Sequence, residues 1–202
     1  MTTPLPPSIR SRPVYGTLTA QPGTAHLIVA DGEGAAAVTD MIARSGSAML
    51  AHSTILYSPG PTGTDLSASL QSLTPARFHR SPTFLAALPR LQKLLADAHM
   101  GLQVYVAGTE GIIGQVRQQA MLAGIPWQAV QTEHRGSTLR RVQCVHCKGI
   151  TENVSTDPFQ CVHCGLNLFV RDHYSRRIAA FQGVNIDAED PGLVPPRVQR
   201  FA

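Results

Sequence analysis

Hydrophobic and polar positions along the first part of the chain follow two alternating patterns. An apolar run at residues 27–30 leads into a glycine-containing turn at residues 31–34. After it, Val38, Met41 and Ile42 recur at helical spacing. Because apolar residues three to four positions apart line one face of a helix, this stretch predicts a strand, a turn and a helix.

The same alternation continues further along the chain. A second apolar run, residues 49–57, ends in a loop rich in proline and glycine, residues 58–65, which cannot remain in a sheet. Residues 82–98 then carry leucines at helical spacing, and we expect Pro89 to kink or shorten that helix.

A regular unit follows, with a predicted strand at residues 101–108, a helix at 111–124 and a strand at 125–134. Strands that alternate with helices form parallel sheets covered on both faces. The pattern therefore predicts an α/β, Rossmann-like domain.

Ligands of such sheets bind beyond the carboxyl ends of the strands. The turns after residues 30 and 107 face that edge, and they supply the candidate cofactor-binding residues Gly32, Gly34, Gly108, Thr109 and Glu110. Asp31 and Glu33 also place two negative charges where a phosphate would want none. A nucleotide site and a Rossmann-like scaffold that has lost its ligand both remain open.

The four cysteines of the chain form two C-x-x-C pairs separated by thirteen residues: Cys144, Cys147, Cys161 and Cys164. Four thiolates at this spacing can converge on one metal, and Gly149 and Gly165 just past the pairs allow tight turns. We predict one metal ion in a small zinc-ribbon or rubredoxin-like domain. Zinc for structure and a single iron for electron transfer both suit four sulfurs.

Other uses of these residues fit less well. A chain without a secretory leader, with only four cysteines in 202 residues, is unlike a disulfide-rich secreted domain. Redox chemistry of the thioredoxin type needs one C-x-x-C at a helix start, rather than a matched pair. His146 and His163 lie between cysteines that already enclose the metal, so we expect neither histidine to be a ligand.

Composition narrows the class of protein. With 43% hydrophobic and 15% charged residues, the chain can bury a core and is not disordered. It has no apolar stretch long enough to span a membrane and no signal peptide, so we expect a cytoplasmic protein. The 17 basic and 13 acidic residues leave a net charge of +4, too sparse a surplus for a nucleic-acid partner. No acid, base or nucleophile constellation stands out, so we predict no catalytic residue.

Residues 104–136 resemble the last unit of the nicotinamide-binding domain in ferredoxin-reductase-like proteins. Ala107, Gly108 and Thr109 stand where that family has Cys-Gly-Pro, residues 124–126 form its Gly-x-Pro turn, and Thr132 with Glu133 ends the last strand. The resemblance implies a domain of that fold and NADPH as a cofactor. No flavin-binding barrel precedes it, so a flavin would belong to another chain.

Residues 161–192 resemble the small subunits of bacterial dimethylamine monooxygenases. This resemblance implies a multi-subunit enzyme that uses NAD(P)H and O2 to convert dimethylamine to methylamine and formaldehyde. Its implied partners are a haem-containing oxygenase subunit and a reductase subunit with flavin and an iron–sulfur cluster. The present chain would then be an electron-transfer or coupling subunit without catalysis of its own.

Four segments are predicted. They are an N-terminal extension at residues 1–24, the Rossmann-like domain at 25–138, the four-cysteine ribbon at 139–170 and an Arg-rich docking segment at 171–202. The docking segment combines a polar and aromatic run, residues 171–177, with an apolar patch at residues 178–181; the alternative is an ordinary helix packed on the metal domain. A structural assembly subunit with a zinc ribbon is the second hypothesis for the whole chain, and a nucleic-acid-binding ribbon is the third.

Overall fold

The computed structural model describes residues 11–201, which build two sheets that follow one another along the chain. The first is a five-stranded parallel sheet of order β3-β2-β1-β4-β5. Its strands are β1 (Ala25–Asp31), β2 (Ser53–Ser58), β3 (Arg77–Arg80), β4 (Leu102–Gly108) and β5 (Val130–His134). The central strand β1 pairs with β2 on one side and β4 on the other, so Leu27 lies opposite both Thr54 and Val104.

Helices cover both faces of this sheet. They are α1 (Gly34–Ser45), α2 (Ser67–Gln71), α3 (Phe84–Ala96) and α4 (Glu110–Leu122). One buried cluster joins α1 and α2 to the sheet, and a second joins α3 and α4 to its other face. The predicted α/β, Rossmann-like domain is confirmed. Within residues 11–201, none of the helices is both long and apolar enough to cross a bilayer.

Details differ from the predicted elements. The run at residues 49–57 begins as a 3-10 helix, Ala48–His52, and only its second half is strand β2. Helix α3 extends to both sides of Pro89 and is two residues shorter at each end than predicted. The short elements α2 and β3 were not predicted, because a five-residue helix and a four-residue edge strand leave little periodic signal.

The second sheet has the order β7-β6-β11-β10-β9. Its strands are β6 (Arg140–Cys144), β7 (Ile150–Val154), β9 (Phe159–Gln160), β10 (Asn167–Ser175) and β11 (Ala180–Asn185), and β8 (Thr156–Asp157) pairs separately with β12 (Val198–Gln199). Strands β6 and β11 run parallel, whereas the other pairs are antiparallel. Both cysteine pairs lie at turns of this unit, which we call the ribbon.

A helix after residue 170 was an alternative in the sequence, and it is wrong. These residues form the hairpin of β10 and β11, in which the rings of Tyr174 and Phe181 meet edge to face at 5.0 Å. Both rings are buried in the ribbon core, and Ala179 and Ala180 are also buried, so most of the predicted apolar patch is hidden from solvent. The predicted boundary between residues 170 and 171 falls within β10.

Residues 16–19 lie along the edge strand β5. The Gly16 amide donates to the Thr132 carbonyl at 2.9 Å, and the Leu18 amide donates to the Glu133 carboxylate at 2.8 Å. Leu18 is fully buried beneath α1. This part of the predicted extension therefore covers an edge that would otherwise expose unpaired backbone groups.

Candidate metal centre

The fold brings the four cysteines together. Their sulfur atoms all lie within 4.8 Å of one another. The Cys144 and Cys164 sulfurs are 3.8 Å apart, and those of Cys147 and Cys161 are 3.7 Å apart. Such separations are far longer than the ~2.05 Å of a disulfide. Thiolates about 2.3 Å from a shared metal at tetrahedral corners stand roughly 3.8 Å from one another, so the set is shaped to hold one ion.

The two turns that carry these cysteines have matching backbone hydrogen bonds. The Cys144 amide donates to the Gly149 carbonyl at 2.9 Å, and the Cys144 carbonyl accepts the Lys148 amide at 3.0 Å. In the second turn Cys161 makes the same pair of bonds with Leu166 and Gly165. The left-handed positions are Lys148 (φ 64°) and Gly165 (φ 74°).

Gly149 therefore serves another purpose than the tight turn predicted for it. A Cβ at this position would lie 2.4 Å from the His163 ring, so only glycine allows the ring to approach. The Gly149 amide also points at the Cys147 sulfur, with 3.4 Å between the two atoms. In the first turn a backbone N–H group therefore faces one of the predicted metal ligands.

Neither His146 nor His163, the histidines inside the two C-x-x-C pairs, joins the sulfur cluster. His163 places its Nε2 2.9 Å from the Ile150 carbonyl, and His146 is exposed. The group of side chains able to share a metal in this region consists of the four cysteines.

Burial divides the cluster into an inner and an outer side. Cys144 and Cys161 are buried in the ribbon core, whereas Cys147 is exposed and Cys164 half-buried. The inner sulfurs stand among apolar residues such as Val142 and Leu168. A metal held here would tie the core together and at the same time present one thiolate at the surface.

The predicted cofactor-binding residues lie at the carboxyl edge of the parallel sheet. Strands β1 and β4 are neighbours at the point where the strand order reverses, which brings the two turns together. The Asp31 carboxylate occupies this junction and accepts the Thr109 amide at 2.8 Å and the Thr109 hydroxyl at 2.7 Å. Burial raises the pKa of the Asp31 carboxyl above its ordinary value, although the bonds from Thr109 work in the opposite direction.

The three glycines of this edge allow close packing. A Cβ at Gly34 would lie 2.1 Å from the Ala107 carbonyl oxygen, and a Cβ at Gly108 would lie 1.8 Å from the Asp31 carboxylate. Gly32 and Gly108 also have positive φ, of 44° and 134°. Helix α1 and strand β4 can approach each other only because these side chains are absent.

Glu110 faces away from that junction. Its carboxylate accepts the Tyr15 hydroxyl at 2.7 Å, at a cavity between the parallel sheet and the ribbon. Burial, followed by the neighbouring Glu110, raises the pKa of Tyr15, which keeps the hydroxyl a donor. The predicted set thus divides between the Asp31 junction and this second location.

Arg140 is a residue that sequence reasoning missed. It is 2% exposed, lies 4.0 Å above the Phe181 ring and 4.2 Å from the Phe201 ring, and pairs with Asp172 at 2.8 Å. The signal was a charge at an inward position, since Arg140 shares its strand face with Val142 and Cys144. Its partners come from distant parts of the chain and could not be read from the pattern.

Two family profiles match the chain. Residues 7–130 match the N-terminal domain of the dimethylamine monooxygenase subunit DmmA-like proteins, and residues 141–184 match their C-terminal domain. The chain belongs to this family. The boundary between the two matches falls where the parallel sheet gives way to the ribbon.

A curated relative agrees with this assignment. The heme-dependent oxidative N-demethylase delta subunit of Ectopseudomonas mendocina (strain ymp) is 33% identical over 101 residues. The alignment covers 50% of this chain and 58% of that relative. By its name this relative is a subunit of a heme-dependent oxidative N-demethylase, and the present chain spans little more than half of its length.

Solved structures with partial similarity include two larger proteins. A flavohemoglobin from Malassezia yamatoensis with bound FAD and heme matches with a TM-score of 0.41 at 13% identity, over 57% of this chain and 33% of that one. Full-length CYP116B46 from Tepidiphilus thermophilus matches with a TM-score of 0.42 at 18% identity, over 64% and 18%.

Proposed function

We propose that this chain is the coupling subunit of a multi-component, NAD(P)H-dependent haem monooxygenase that demethylates dimethylamine. The observation that carries the proposal is the cluster of four cysteine sulfurs within 4.8 Å, on two matched turns of a ribbon that follows a five-stranded parallel sheet. Family membership supports the enzyme class. The substrate and the cofactors come from the resemblance to dimethylamine monooxygenases.

In this proposal the four cysteines hold one iron. A single iron with four thiolates supplies one-electron transfer. The exposed Cys147 sulfur gives electrons a short route between the centre and a docked protein, while the buried Cys144 and Cys161 keep the opposite side dry. Backbone N–H groups aimed at sulfur, as at Gly149, favour the reduced, more negative centre.

The docked proteins would be the haem-containing oxygenase subunit and the flavin and iron–sulfur reductase subunit. Arg171 and Arg177 are exposed on the hairpin that borders the ribbon core and suit carboxylates on such partners. Within the docking segment predicted at residues 171–202, we place the contact surface for the partners on the exposed side of this hairpin.

A structural role for the metal is the second candidate. Cys144 and Cys161 belong to the buried cluster of the ribbon, which is small and built largely from short strands. A zinc ion at their sulfurs would hold this unit folded without carrying electrons. The crowded Asp31 junction favours the matching idea that the parallel sheet is a scaffold.

Replacing one ligand tests the proposal in the assembled enzyme. The Cys161→Ser substitution should remove the metal and abolish NAD(P)H-driven demethylation. His146→Gln changes an exposed residue between Cys144 and Cys147 and should retain both the metal and the demethylation activity. Assembly is followed by size-exclusion chromatography and turnover by formaldehyde release. A Cys161→Ser complex that assembles and turns over at the original rate would contradict the proposal.

A further inference from the structure

A cavity of about 310 Å³ lies where the parallel sheet meets the ribbon, apart from the four cysteines. Helix α4 and the 3-10 turn at residues 127–129 form one side, strand β10 and its turn form the other, and residues 11–14 close the end. Its chemically notable lining residues are Arg12, Arg117, Trp127, Tyr174 and Arg176. We call it the arginine cavity.

Arg117 is the innermost charge of the arginine cavity. Arg117 is only 8% exposed. Nη2 donates to the Val130 carbonyl at 3.0 Å, whereas the buried Nε has no hydrogen-bond partner. The guanidinium lies 4.4 Å from the centre of the Trp127 ring.

A second arginine approaches the same ring. Arg176 is exposed on the ribbon hairpin, and its guanidinium lies 5.2 Å from the Trp127 ring centre. Two like charges are thus held around one indole by two different units of the fold. Cation–π attraction offsets part of the cost of bringing them together.

Negative charge is missing around these two groups. Among the described residues that line the arginine cavity, none is aspartate or glutamate. Within residues 11–201, no carboxylate lies in ion-pair contact with Arg117 or Arg176. Arg12 stands 3.8 Å from Asp172, but the same Asp172 oxygen is bonded more closely to Arg140, at 2.8 Å.

An uncompensated buried cation is costly to a folded protein. Charges taken out of water normally find a counterion or a full set of hydrogen bonds. Desolvation lowers the pKa of Arg117, which is the direction expected for a guanidinium without an anionic neighbour. An oxyanion entering the cavity would supply the missing negative charge beside Arg117.

We propose that the arginine cavity binds a small molecule with a phosphate or carboxylate group, held between Arg117 and Arg176. A planar guanidinium offers paired N–H donors that match the oxygens of either group. The cavity is concave, has a volume of about 310 Å³ and is walled in part by aromatic side chains. These features suit a small ligand better than the flat surface of a protein partner. This site is independent of the metal and of the proposed electron transfer.

Because both units of the fold supply a cation, the ligand would also bind them to each other. Gln118 of α4 already donates to the Arg177 carbonyl at 2.6 Å beside the cavity. An anion between Arg117 and Arg176 adds a second link across the same seam. Binding should therefore raise the thermal stability of the whole chain.

Calorimetric titration of the full, metal-loaded chain tests the site. Inorganic phosphate and succinate are the two probes, each titrated at constant ionic strength maintained with chloride. We expect one of them to bind and to raise the melting temperature. The better probe identifies the group that the cavity prefers.

The Arg176→Gln variant, whose exposed side chain can be changed without disturbing the core, should weaken that binding by about tenfold. Arg117→Gln should weaken it at least as much. Arg77→Gln removes the same charge from the exposed edge strand β3 and should leave binding unchanged. Binding of neither probe to the unmodified chain, or equal binding by Arg176→Gln and Arg77→Gln, would overturn the proposal.

Discussion

Asp31 is the single residue with the largest influence on what the carboxyl edge of the parallel sheet can bind. Its carboxylate already takes the Thr109 amide, at 2.8 Å, which is the kind of donor that a phosphate oxygen would otherwise seek. The exposed Glu33 adds a second negative charge in the same turn. A nicotinamide cofactor lined by Gly32, Gly34, Gly108, Thr109 and Glu110 stays a prediction, and Asp31 is the residue that tests it.

Replacing this carboxylate should strengthen NADPH binding to the isolated chain. Asp31→Asn keeps the size of the side chain but removes a charge near the predicted phosphate position, so we expect affinity to rise by about tenfold. Calorimetric titration measures it. Asp97→Asn, at the opposite end of the sheet beside Lys93, is the matched control and should change nothing. Absence of binding in both the original chain and Asp31→Asn would contradict the cofactor prediction.

Residues differ in how far the sequence could reveal them. The four cysteines were predictable because ligand spacing is a local property, and the fold places their sulfurs together. Arg117 and Arg140 were not, because their importance comes from burial against Trp127 and Phe181. Arg140 and Phe181 are far apart in the chain, and Arg117 and Trp127, although close in sequence, lie on different elements.

The contact between α4 and the ribbon hairpin is the decisive one at the scale of elements. Gly114 faces Tyr174 across the seam, and a Cβ on Gly114 would lie 2.1 Å from the Tyr174 hydroxyl and 3.1 Å from Ala179. Tyr174 is 7% exposed and packed on Phe181, so it has little room to move. The helix can lie this close to the hairpin only because position 114 has no side chain.

Two glycine substitutions in this helix should therefore have opposite effects. Gly114→Ala should lower the free energy of unfolding by about 1–3 kcal/mol, because overpacking outweighs the better helix propensity of alanine. Gly111→Ala meets nothing closer than 3.9 Å and should raise it by up to about 1 kcal/mol. Urea unfolding followed by circular dichroism compares them, and equal effects would contradict the packing account.

Elements were predictable where the hydrophobic period was long and regular. The strand, helix and strand between residues 101 and 134 appear as β4, α4 and β5 because buried parallel strands and amphipathic helices have distinct periods. The hairpin after residue 170 was harder to predict. A bulge between Arg171 and Tyr174 breaks its alternation, so inward and outward positions do not follow a simple period of two.

The molecule as a whole contains separate cores that depend differently on the metal. Two clusters hold the parallel sheet between its helices, while a third holds the ribbon and includes Cys144 and Cys161. Of these three clusters, only the third contains predicted metal ligands. Loss of the metal should therefore open the ribbon and leave the parallel sheet folded.

Hydrogen exchange of the Cys161→Ser variant measures this difference. Amide protection in β6, β10 and β11 should fall by at least about a hundredfold relative to the original chain, with little change in β1 and β4. His146→Gln is again the control. Equal loss of protection in both sheets would show one cooperative unit, and unchanged protection in both would show that the cysteines hold no stabilising metal.

The most direct test of the central claim is metal analysis of the purified, untagged chain, combined with its visible spectrum before and after reduction. An electron-coupling subunit predicts about one iron per chain and a thiolate-to-iron absorption band that bleaches on reduction. About one zinc per chain without colour would contradict electron transfer through the four cysteines and favour the structural role. A chain with neither metal would contradict both.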